Sequence, residues 1–352
     1  MNRRSFLQAV ALGAATTTLA TATDQPKKIR CGILGIDHAH GVDVLKVLQR
    51  SPDFDLVGVC EPDDAVRSQL ENNPALKDVR WLSRDELLSD TSIKMAAVES
   101  GVPRLLELAR NAVDAGKHIH LDKPAGASLP AFRALMEEAE RKQLLVQMGY
   151  MFRYNPGFDF IRRAVRENWL GEIYSINASM CTDLDAVKRA RIGAFSGGIM
   201  FELGCHVIDM IVLLLGAPEK VTSFIRHDGA TNDLLADNTL AVFEYPRAIA
   251  FIESAAMEFQ PFPTRRFKIA GSNGSIVLTP LEPPAGHLAL RNGAGGYNTG
   301  THPIVFEELP RHAADFSDFA ACMRGDHSFA YAKAHDLSVQ EVVLKASGMP
   351  LT

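Results

Sequence analysis

The sequence predicts an α/β protein in two halves. Residues 27–149 are expected to form a doubly wound parallel sheet, because short runs rich in Val, Ile and Leu alternate there with helical segments. Residues 150–352 are expected to form an α+β domain with an open, largely antiparallel sheet, because near-alternating runs follow one another across short turns. One strongly apolar helix with few charges lies within this second half.

The first half contains five predicted strands with helices between them. The strands are residues 29–34, 56–60, 95–98, 118–121 and 144–148. The helices are residues 42–50, 103–115 and 129–142, and a capping box over residues 83–86 begins another. Ligands of such sheets bind at the carboxyl ends of the strands, so the residues that follow each strand are the candidates for binding.

The end of the first strand has the features of a dinucleotide-binding turn. Gly32, Gly35 and Ile36 lie in or beside this turn. Glu61 ends the next strand, about 20 residues on, where an acidic side chain typically accepts hydrogen bonds from the adenosine ribose. Its charge disfavours a 2′-phosphate, so the pattern predicts NAD rather than NADP. Ser100, after the third strand, could donate its hydroxyl to the cofactor or simply begin a helix.

The glycine pattern of this turn is incomplete. In G-x-G-x-x-G counted from Gly35, Asp37 and His40 stand where the second and third glycines belong. A carboxylate there would face a pyrophosphate, so either the turn swings outward, or His38 and His40 compensate as donors, or the cofactor site is altered. Asp37, His38 and His40 could also bind zinc, but the sequence identifies no further ligand and a turn histidine is commonly a loop donor. No metal is predicted.

A lysine follows the fourth strand directly. Lys123 stands between Asp122 and Pro124, so its side chain is expected in the cleft above the sheet. An ammonium group there can polarise a hydroxyl or carbonyl oxygen. A surface lysine would have more polar neighbours.

The second half contains six predicted strands around the apolar helix. The strands are residues 173–180, 221–226, 239–245, 249–256, 265–270 and 275–278. The helix covers residues 200–216, and its only ionisable side chains, Glu202, His206 and Asp209, fall within an arc of about 60°. Glu202 is expected to orient His206 for proton exchange; the alternative is a hydrogen-bonded core histidine.

The remaining segments of the second half are predicted to be loops and tail helices. Residues 181–195 are expected to form a basic loop beside the substrate, and residues 286–302 a loop without assignable chemistry. Residues 312–323 and 336–347 are expected to form tail helices that pack back on the rest.

Charge and the N-terminus limit the partners and the location. The net charge is −5 and no Lys/Arg-rich segment occurs, which argues against nucleic-acid binding.

Residues 1–22 combine a twin-arginine pattern, an Ala-rich apolar run and an A-x-A site, which predicts a cleaved export signal and a periplasmic or otherwise exported protein. No later run is long enough to span a bilayer, so no stable membrane anchoring is expected. Five scattered cysteines give neither a disulfide framework nor a zinc motif.

Three motifs in order resemble the Gfo/Idh/MocA family, the relatives of glucose-fructose oxidoreductase and inositol dehydrogenase. GKHIHLDKP at residues 116–124 is similar to the family's A-G-K-H-V-x-x-E-K-P, and GGIMFELGCHVID at residues 197–209 is similar to its G-G-x-x-x-D-x-G-x-H-x-x-D. GYMFRYNP at residues 149–156 resembles the segment that joins the family's two domains. The departures are Asp37 and His40 for glycines, Glu202 for aspartate, and Ser100-Gly101 for threonine and proline.

The resemblance implies a role for each matching residue. Lys123, His206 and Glu202 are implied to be catalytic, and Arg153 to be structural. Met151 and Phe152 should border the substrate with His206. The implied cofactor-binding residues are Gly32, Gly35, Ile36, Asp37, Glu61, Ser100, Asp122 and Lys123. The exposed face of the second sheet is implied to form a homo-oligomer.

The expected function is that of an NAD-dependent oxidoreductase acting on a hydroxyl of a sugar, glycoside or cyclitol. Little free NAD exists outside the cytoplasmic membrane, so an exported enzyme should retain and recycle its cofactor, which also allows a redox-neutral cleavage of glycosides. The alternatives are a catalytically silent carbohydrate-binding relative, suggested by the incomplete glycine turn, and a metal-assisted hydrolase built on Asp37, His38 and His40.

Overall fold

The structure is a computed structural model that describes residues 27–352. The predicted export signal at residues 1–22 lies outside the described residues. Within residues 27–352, no helix combines the length and the apolar character that a membrane span requires.

The first sheet contains five parallel strands in the order β2-β1-β3-β4-β5. Its strands are β1 (Ile29–Leu34), β2 (Phe54–Cys60), β3 (Met95–Val98), β4 (His118–Leu121) and β5 (Val146–Met148). The connecting helices are α1 (Gly41–Arg50), α2 (Asp64–Leu70), α3 (Arg84–Ser89), α4 (Val102–Asp114) and α5 (Leu129–Arg141). This is the parallel, helix-covered sheet that the sequence predicts. Helix α3 begins at the capping box, where Ser83 Oγ accepts from Glu86 N and the Glu86 carboxylate accepts from Ser83 N.

A second sheet of eight strands follows, in the order β13-β12-β11-β10-β6-β9-β8-β7. Its strands are β6 (Ile173–Ser179), β7 (Lys220–Arg226), β8 (Asn238–Glu244), β9 (Ile249–Ala255), β10 (Arg266–Gly271), β11 (Gly274–Leu281), β12 (Pro284–Leu290) and β13 (Gly300–Val305). Only the β6–β9 pair is parallel among the pairs of this sheet. The prediction of a largely antiparallel second sheet is therefore confirmed.

The prediction of a loop over residues 286–302 is wrong at both ends of this range, because these ends lie in strands β12 and β13. Glycine and proline lower the β propensity of this segment, yet the pairing of β12 with β11 and of β13 with β12 overrides propensity here. Gly286 shows why a glycine stands within a strand: a Cβ atom there would lie 1.8 Å from the Val277 carbonyl oxygen on β11. The basic loop predicted over residues 181–195 likewise contains a short helix, α7 (Ala186–Gly193), which Asp185 caps.

The apolar helix of the second half has two parts. Met200–Gly204 forms a π-helical turn, and the helix α8 (Cys205–Leu215) continues from it. The wider π turn packs on β9, and α8 packs on the last helix of the chain. Because the π turn changes the helical period at residue 202, the single arc predicted for residues 202, 206 and 209 does not hold, and their side chains reach different partners.

Three further helices join the halves. Helix α6 (Pro156–Arg166) follows the short 3-10 turn Met151–Tyr154, while α9 (Ala313–Arg324) and α10 (Lys333–Ala346) end the chain. Phe316 and Phe319 of α9 pack into the core of the first sheet. Gln340 of α10 accepts from Ala125 N at 3.2 Å and donates to the Gly126 carbonyl at 2.6 Å. The tail is therefore bound to the loop that directly follows residues 122–124.

Candidate active site

Lys123 forms a buried contact between the two halves. It follows β4, is 97% buried, and its Nζ donates to the Glu202 carboxylate at 3.1 Å and to the Glu202 carbonyl at 2.9 Å. Burial alone would lower the pKa of Lys123, but the facing Glu202 raises it, so the ammonium form persists. A fixed positive charge from the first sheet therefore meets the π turn of the second half.

His206 lies in the first turn of α8 and is buried. Its ring is 5.7 Å from that of Phe152 and 6.1 Å from that of His40, centroid to centroid. Its Nδ1 makes no hydrogen bond to any part of the chain that the structure describes. Burial and the nearby Lys123 hold the pKa of His206 well below its ordinary value, so the ring is neutral and able to accept a proton.

Glu202 does not contact His206 as the sequence suggested. Its carboxylate accepts from Lys123 and is hydrogen-bonded to His38 Nε2 at 2.9 Å. The expectation that Glu202 orients His206 is therefore wrong, because the π turn aims its side chain at the first half instead. Burial alone would raise the pKa of Glu202, but Lys123 and His38 hold it at about 2.

Asp122 contacts both histidines of the turn after β1. Its Oδ1 lies 3.0 Å from His40 Nδ1 and accepts from Lys123 N at 2.8 Å, while its Oδ2 contacts His38 Nδ1. Burial would lower the pKa of His38, but Asp122 and Glu202 outweigh it and raise it to about 9. Burial lowers the pKa of His40 to about 4 despite Asp122.

Asp37 turns away from these histidines. Its carboxylate accepts from Gly101 N at 2.9 Å and pairs with the Arg104 guanidinium at 3.3 Å. Of the outcomes left open for this turn, the outward orientation of the carboxylate is the one observed. The negative charge is paired rather than aimed along the turn, and a zinc set that includes Asp37 is not assembled.

The turn after β1 fits a nucleotide cofactor at two points. Gly35 has φ of +74°, and a Cβ atom there would lie 2.7 Å from the Ser100 Cβ, so only glycine allows this close approach. Ser100 Oγ is buried and makes no hydrogen bond within the described chain. A ligand phosphate or ribose oxygen would satisfy this hydroxyl, so Gly35 and Ser100 are suited to hold the middle of a dinucleotide.

Glu61 and the two remaining turn residues have mainly structural contacts. Glu61 accepts from Ile36 N at 3.0 Å and from Arg104 at 2.9 Å, and its side chain is fully buried. Gly32 lies inside β1, where a Cβ atom would lie 2.9 Å from a methyl carbon of Leu87, so it serves packing. Arg104 thus covers the acidic residue at the end of β2.

Met151 and Phe152 border a cavity of about 740 Å³. Lys123, Glu202 and His206 do not line this cavity, but the Phe152 ring also packs against the His206 ring. The lining is rich in charged groups from both halves, including Asp43, Lys46, Arg50, Glu282, Glu308 and Arg311. Such a lining suits a ligand with many hydroxyl groups.

Arg153 forms a separate, structural centre. Its guanidinium pairs with Asp209 at 2.6 Å and with Asp336 at 2.6 Å, and the Tyr331 ring lies 4.2 Å from it. Burial would lower the pKa of Arg153, but the two carboxylates raise it well above its ordinary value. The third ionisable residue of the apolar helix therefore binds the segment between the halves.

Sequence reasoning missed Arg104 and a second buried group of histidines. His120 Nδ1 lies 3.0 Å from Glu99, its Nε2 lies 3.5 Å from Asp315, and His312 lies 3.2 Å from Asp315. The signal for His120 was its place within the buried strand β4, where an unpaired polar group is costly. No local pattern connects it to residues almost 200 positions later.

A nucleotide-binding parallel sheet, an open second sheet and a lysine that joins them define a two-domain NAD(P)-binding oxidoreductase. The chain belongs to the GFO/IDH/MocA family: the model described as an oxidoreductase family with an NAD-binding Rossmann fold matches residues 29–150, and the model of the GFO/IDH/MocA C-terminal domain matches residues 158–277. It is an oxidoreductase of the kind that acts on CH–OH groups.

Known relatives differ in how much of the chain they match. The uncharacterized oxidoreductase YhhX of Escherichia coli is 27% identical over 209 residues, 59% of each chain, and the scyllo-inositol 2-dehydrogenase (NAD(+)) of Bacillus subtilis is 24% identical over 84% of this chain and 86% of its own. Among solved structures, GenD2 from gentamicin A biosynthesis, in complex with NAD, superposes with a TM-score of 0.74 at 19% identity, covering 92% of this chain and 94% of its own. UDP-N-acetylglucosamine 3-dehydrogenase GnnA from Acidithiobacillus ferrooxidans gives 0.74 at 18% identity, covering 92% and 98%. These superpositions show the shared fold.

Proposed function

We propose that this protein is an NAD-dependent dehydrogenase that oxidises a hydroxyl of a sugar, glycoside or cyclitol. The observation that carries the proposal is the meeting of Lys123, from the end of β4, with Glu202 and the neutral His206 of the second half. A related protein named as an inositol dehydrogenase and one named as a sugar-nucleotide 3-dehydrogenase support the substrate class.

Each residue of the centre has one task in this reaction. Lys123 stabilises the negative charge that develops on the hydroxyl oxygen, and His206 accepts the hydroxyl proton on a ring nitrogen. Glu202 fixes the Lys123 ammonium through two hydrogen bonds. NAD, when bound across Gly35 and Ser100, supplies the acceptor of the hydride. Phe152 and Met151 enclose the apolar face of the substrate ring.

The polar lining of the cavity supports a hydroxyl-rich substrate. Charged groups from α1 and from the β11–β12 turn face one another across it, which offers both donors and acceptors.

Purified full-length protein incubated with NAD⁺ and a panel of cyclitols, free sugars and glycosides tests the proposal. We expect a ketone product and reduced nicotinamide from at least one member, and loss of both with Lys123→Met and with His206→Asn. Turnover that survives both substitutions would contradict the assigned chemistry. Carbohydrate binding without any product would favour the catalytically silent alternative.

We further propose that the protein is exported and retains its cofactor. The twin-arginine pattern of residues 1–22 supports export, and scarce free NAD outside the cytoplasmic membrane supports retention. Denaturation of the purified protein should release NAD(H), and Arg3→Lys combined with Arg4→Lys should abolish export of a folded reporter. A glycoside cleaved without accumulation of reduced cofactor would assign the redox-neutral reaction instead.

A further inference from the structure

Three potential metal ligands converge beside the proposed catalytic residues. His38 and His40 come from the turn after β1, and Asp122 follows β4, two strands away in the sheet. One ligand atom from each lies within 4.8 Å of the other two. All three side chains are largely or wholly buried, with exposed fractions of 4%, 16% and 1%. The proposed function gives His38 and His40 no task.

The donor set matches the chemistry of first-row transition metals. Two imidazoles and one carboxylate with open positions form the facial triad that binds such ions, with metal–ligand distances of about 2.0–2.2 Å. His38 has the outer contact that metal-bound histidines commonly show, because its Nε2 is hydrogen-bonded to the Glu202 carboxylate at 2.9 Å. Its Nδ1 is then the atom left to bind an ion.

A close carboxylate–imidazole contact and one unpartnered nitrogen provide further observations. Asp122 Oδ2 contacts His38 Nδ1, and His206 Nδ1, in a side chain that is 99% buried, makes no hydrogen bond within residues 27–352. An unpartnered buried polar atom is costly. A divalent cation would take the place of the proton between His38 and Asp122, and the His206 ring lies 6.1 Å from that of His40, centroid to centroid.

We propose that His38, His40 and Asp122 hold one divalent first-row transition-metal ion beside His206. Its task rests on the proposed function: it would lower the pKa of the substrate hydroxyl. The reaction keeps its balance, because the C–H bond still yields a hydride to NAD⁺, the O–H bond still yields a proton to His206, and the ion changes no oxidation state.

A second group, formed by His120, His312 and Asp315, offers the same types of donor. Within the described residues it makes no hydrogen bond to Lys123 or Glu202, as Asp122 and His38 do. It therefore serves as the internal comparison. A second proton on His38 is the metal-free explanation of the His38–Asp122 contact. A metal titration distinguishes this explanation from a bound ion.

Chelator-treated full-length protein titrated with Co²⁺ tests the proposal, read by visible d–d absorption and by bound metal per chain. We expect one equivalent for the wild type and for the matched control His302→Asn, whose exposed ring lies on β13. His40→Asn and Asp122→Asn should each weaken binding at least about tenfold, with circular dichroism reporting folding. If one of them fails to fold, His38→Gln replaces it.

Several results would overturn the site. The first is that the wild type binds no Co²⁺. The second is that the His40 and Asp122 variants bind Co²⁺ as tightly as the wild type does. The third is that Asp315→Asn loses Co²⁺ binding and His40→Asn keeps it. NAD binding, measured separately by nucleotide fluorescence, distinguishes the two proposals. Co²⁺ bound without any NAD binding contradicts only the dehydrogenase, whereas full NAD-dependent turnover in metal-free protein contradicts only the role of the ion.

Discussion

Two clusters of buried charge lie against the same apolar helix and differ in what their charges can do. In the first, Arg153 is held between Asp209 and Asp336, and a guanidinium keeps its proton at any physiological pH. In the second, Lys123 and Glu202 meet His38, and His206 lies near Lys123. A guanidinium can only hold the chain in place, whereas an imidazole can also exchange protons with a ligand.

Loss of Arg153 should give the largest effect on stability. Arg153→Met leaves two buried carboxylates without their cation, so we expect the free energy of unfolding to fall by about 3–5 kcal/mol. Arg163→Met is the matched control, because its pair with Glu167 is exposed and such pairs contribute about 1 kcal/mol or less. Urea denaturation measures both, and equal losses would show that the buried cluster has no special structural role.

Loss of His206 should reduce activity and leave stability almost unchanged. His206→Asn removes the proton acceptor, so turnover should fall by about 10²–10⁴-fold while the denaturation midpoint stays close to that of the wild type. The control is His335→Asn, which removes a histidine from the first cluster, where its ring lies 3.2 Å from Asp209. That variant should lose some stability and keep its turnover. A variant at position 206 that is destabilised but active would assign His206 to the core.

The first cluster should also give a modest dependence of stability on pH. Burial alone would raise the pKa of Asp209, but Arg153 and His335 outweigh it and hold the pKa below the ordinary 3.8. A carboxylate with a lowered pKa stabilises the fold above its unfolded pKa, and this stabilisation is lost as the pH falls through the folded value.

Burial raises the pKa of Asp336 despite Arg153. The contribution of Asp336 to stability therefore changes with pH in the opposite direction and offsets part of the stability that Asp209 loses in acid. We therefore expect Asp209→Asn to lose less stability than the wild type between pH 5 and pH 3, because the variant lacks the group that titrates. Urea unfolding at each pH checks this. Parallel curves for the two proteins would show that Asp209 makes no net contribution in acid.

The outer face of the second sheet should affect assembly without affecting either cluster. Its apolar side chains lie on neighbouring positions of three strands: Phe224, Leu240, Val242, Ile249 and Phe251. We propose that a second copy of the chain covers them. Phe251→Glu should shift the species seen by sedimentation to the monomer, and Val187→Glu on α7, which is also exposed, should not. An unchanged mass for Phe251→Glu would place any interface elsewhere.

The position of Lys123 could be predicted from the sequence, whereas the partners of Arg153 and of Glu202 could not. Lys123 follows a short buried strand directly, and parallel strands place such residues in the cleft. The direction of Glu202 depends on a π-helical turn, and the spacing rules used here assume an α-helical period. A change of period over five residues was enough to move its carboxylate from His206 to Lys123.

Contacts between distant parts of the chain account for the remaining differences. Arg104 pairs with Asp37 and Glu61 across 67 and 43 positions, so no local pattern reveals that the carboxylate in the turn is neutralised. Strands β12 and β13 contain glycine and proline and acquire their structure from pairing, β12 with β11 and β13 with β12. In each case a partner outside the segment overrides its local preference.

The bonds that Gln340 makes to the backbone beside Pro124 affect the order in which the protein matures. The loop of Lys123 is fastened by a side chain 215 positions further along the chain. During synthesis the first sheet can therefore form long before its lysine is fixed, and a chain still on the ribosome carries a nucleotide-binding domain whose reactive end is incomplete. Until α10 is added, Lys123 lacks one of the contacts that hold its loop.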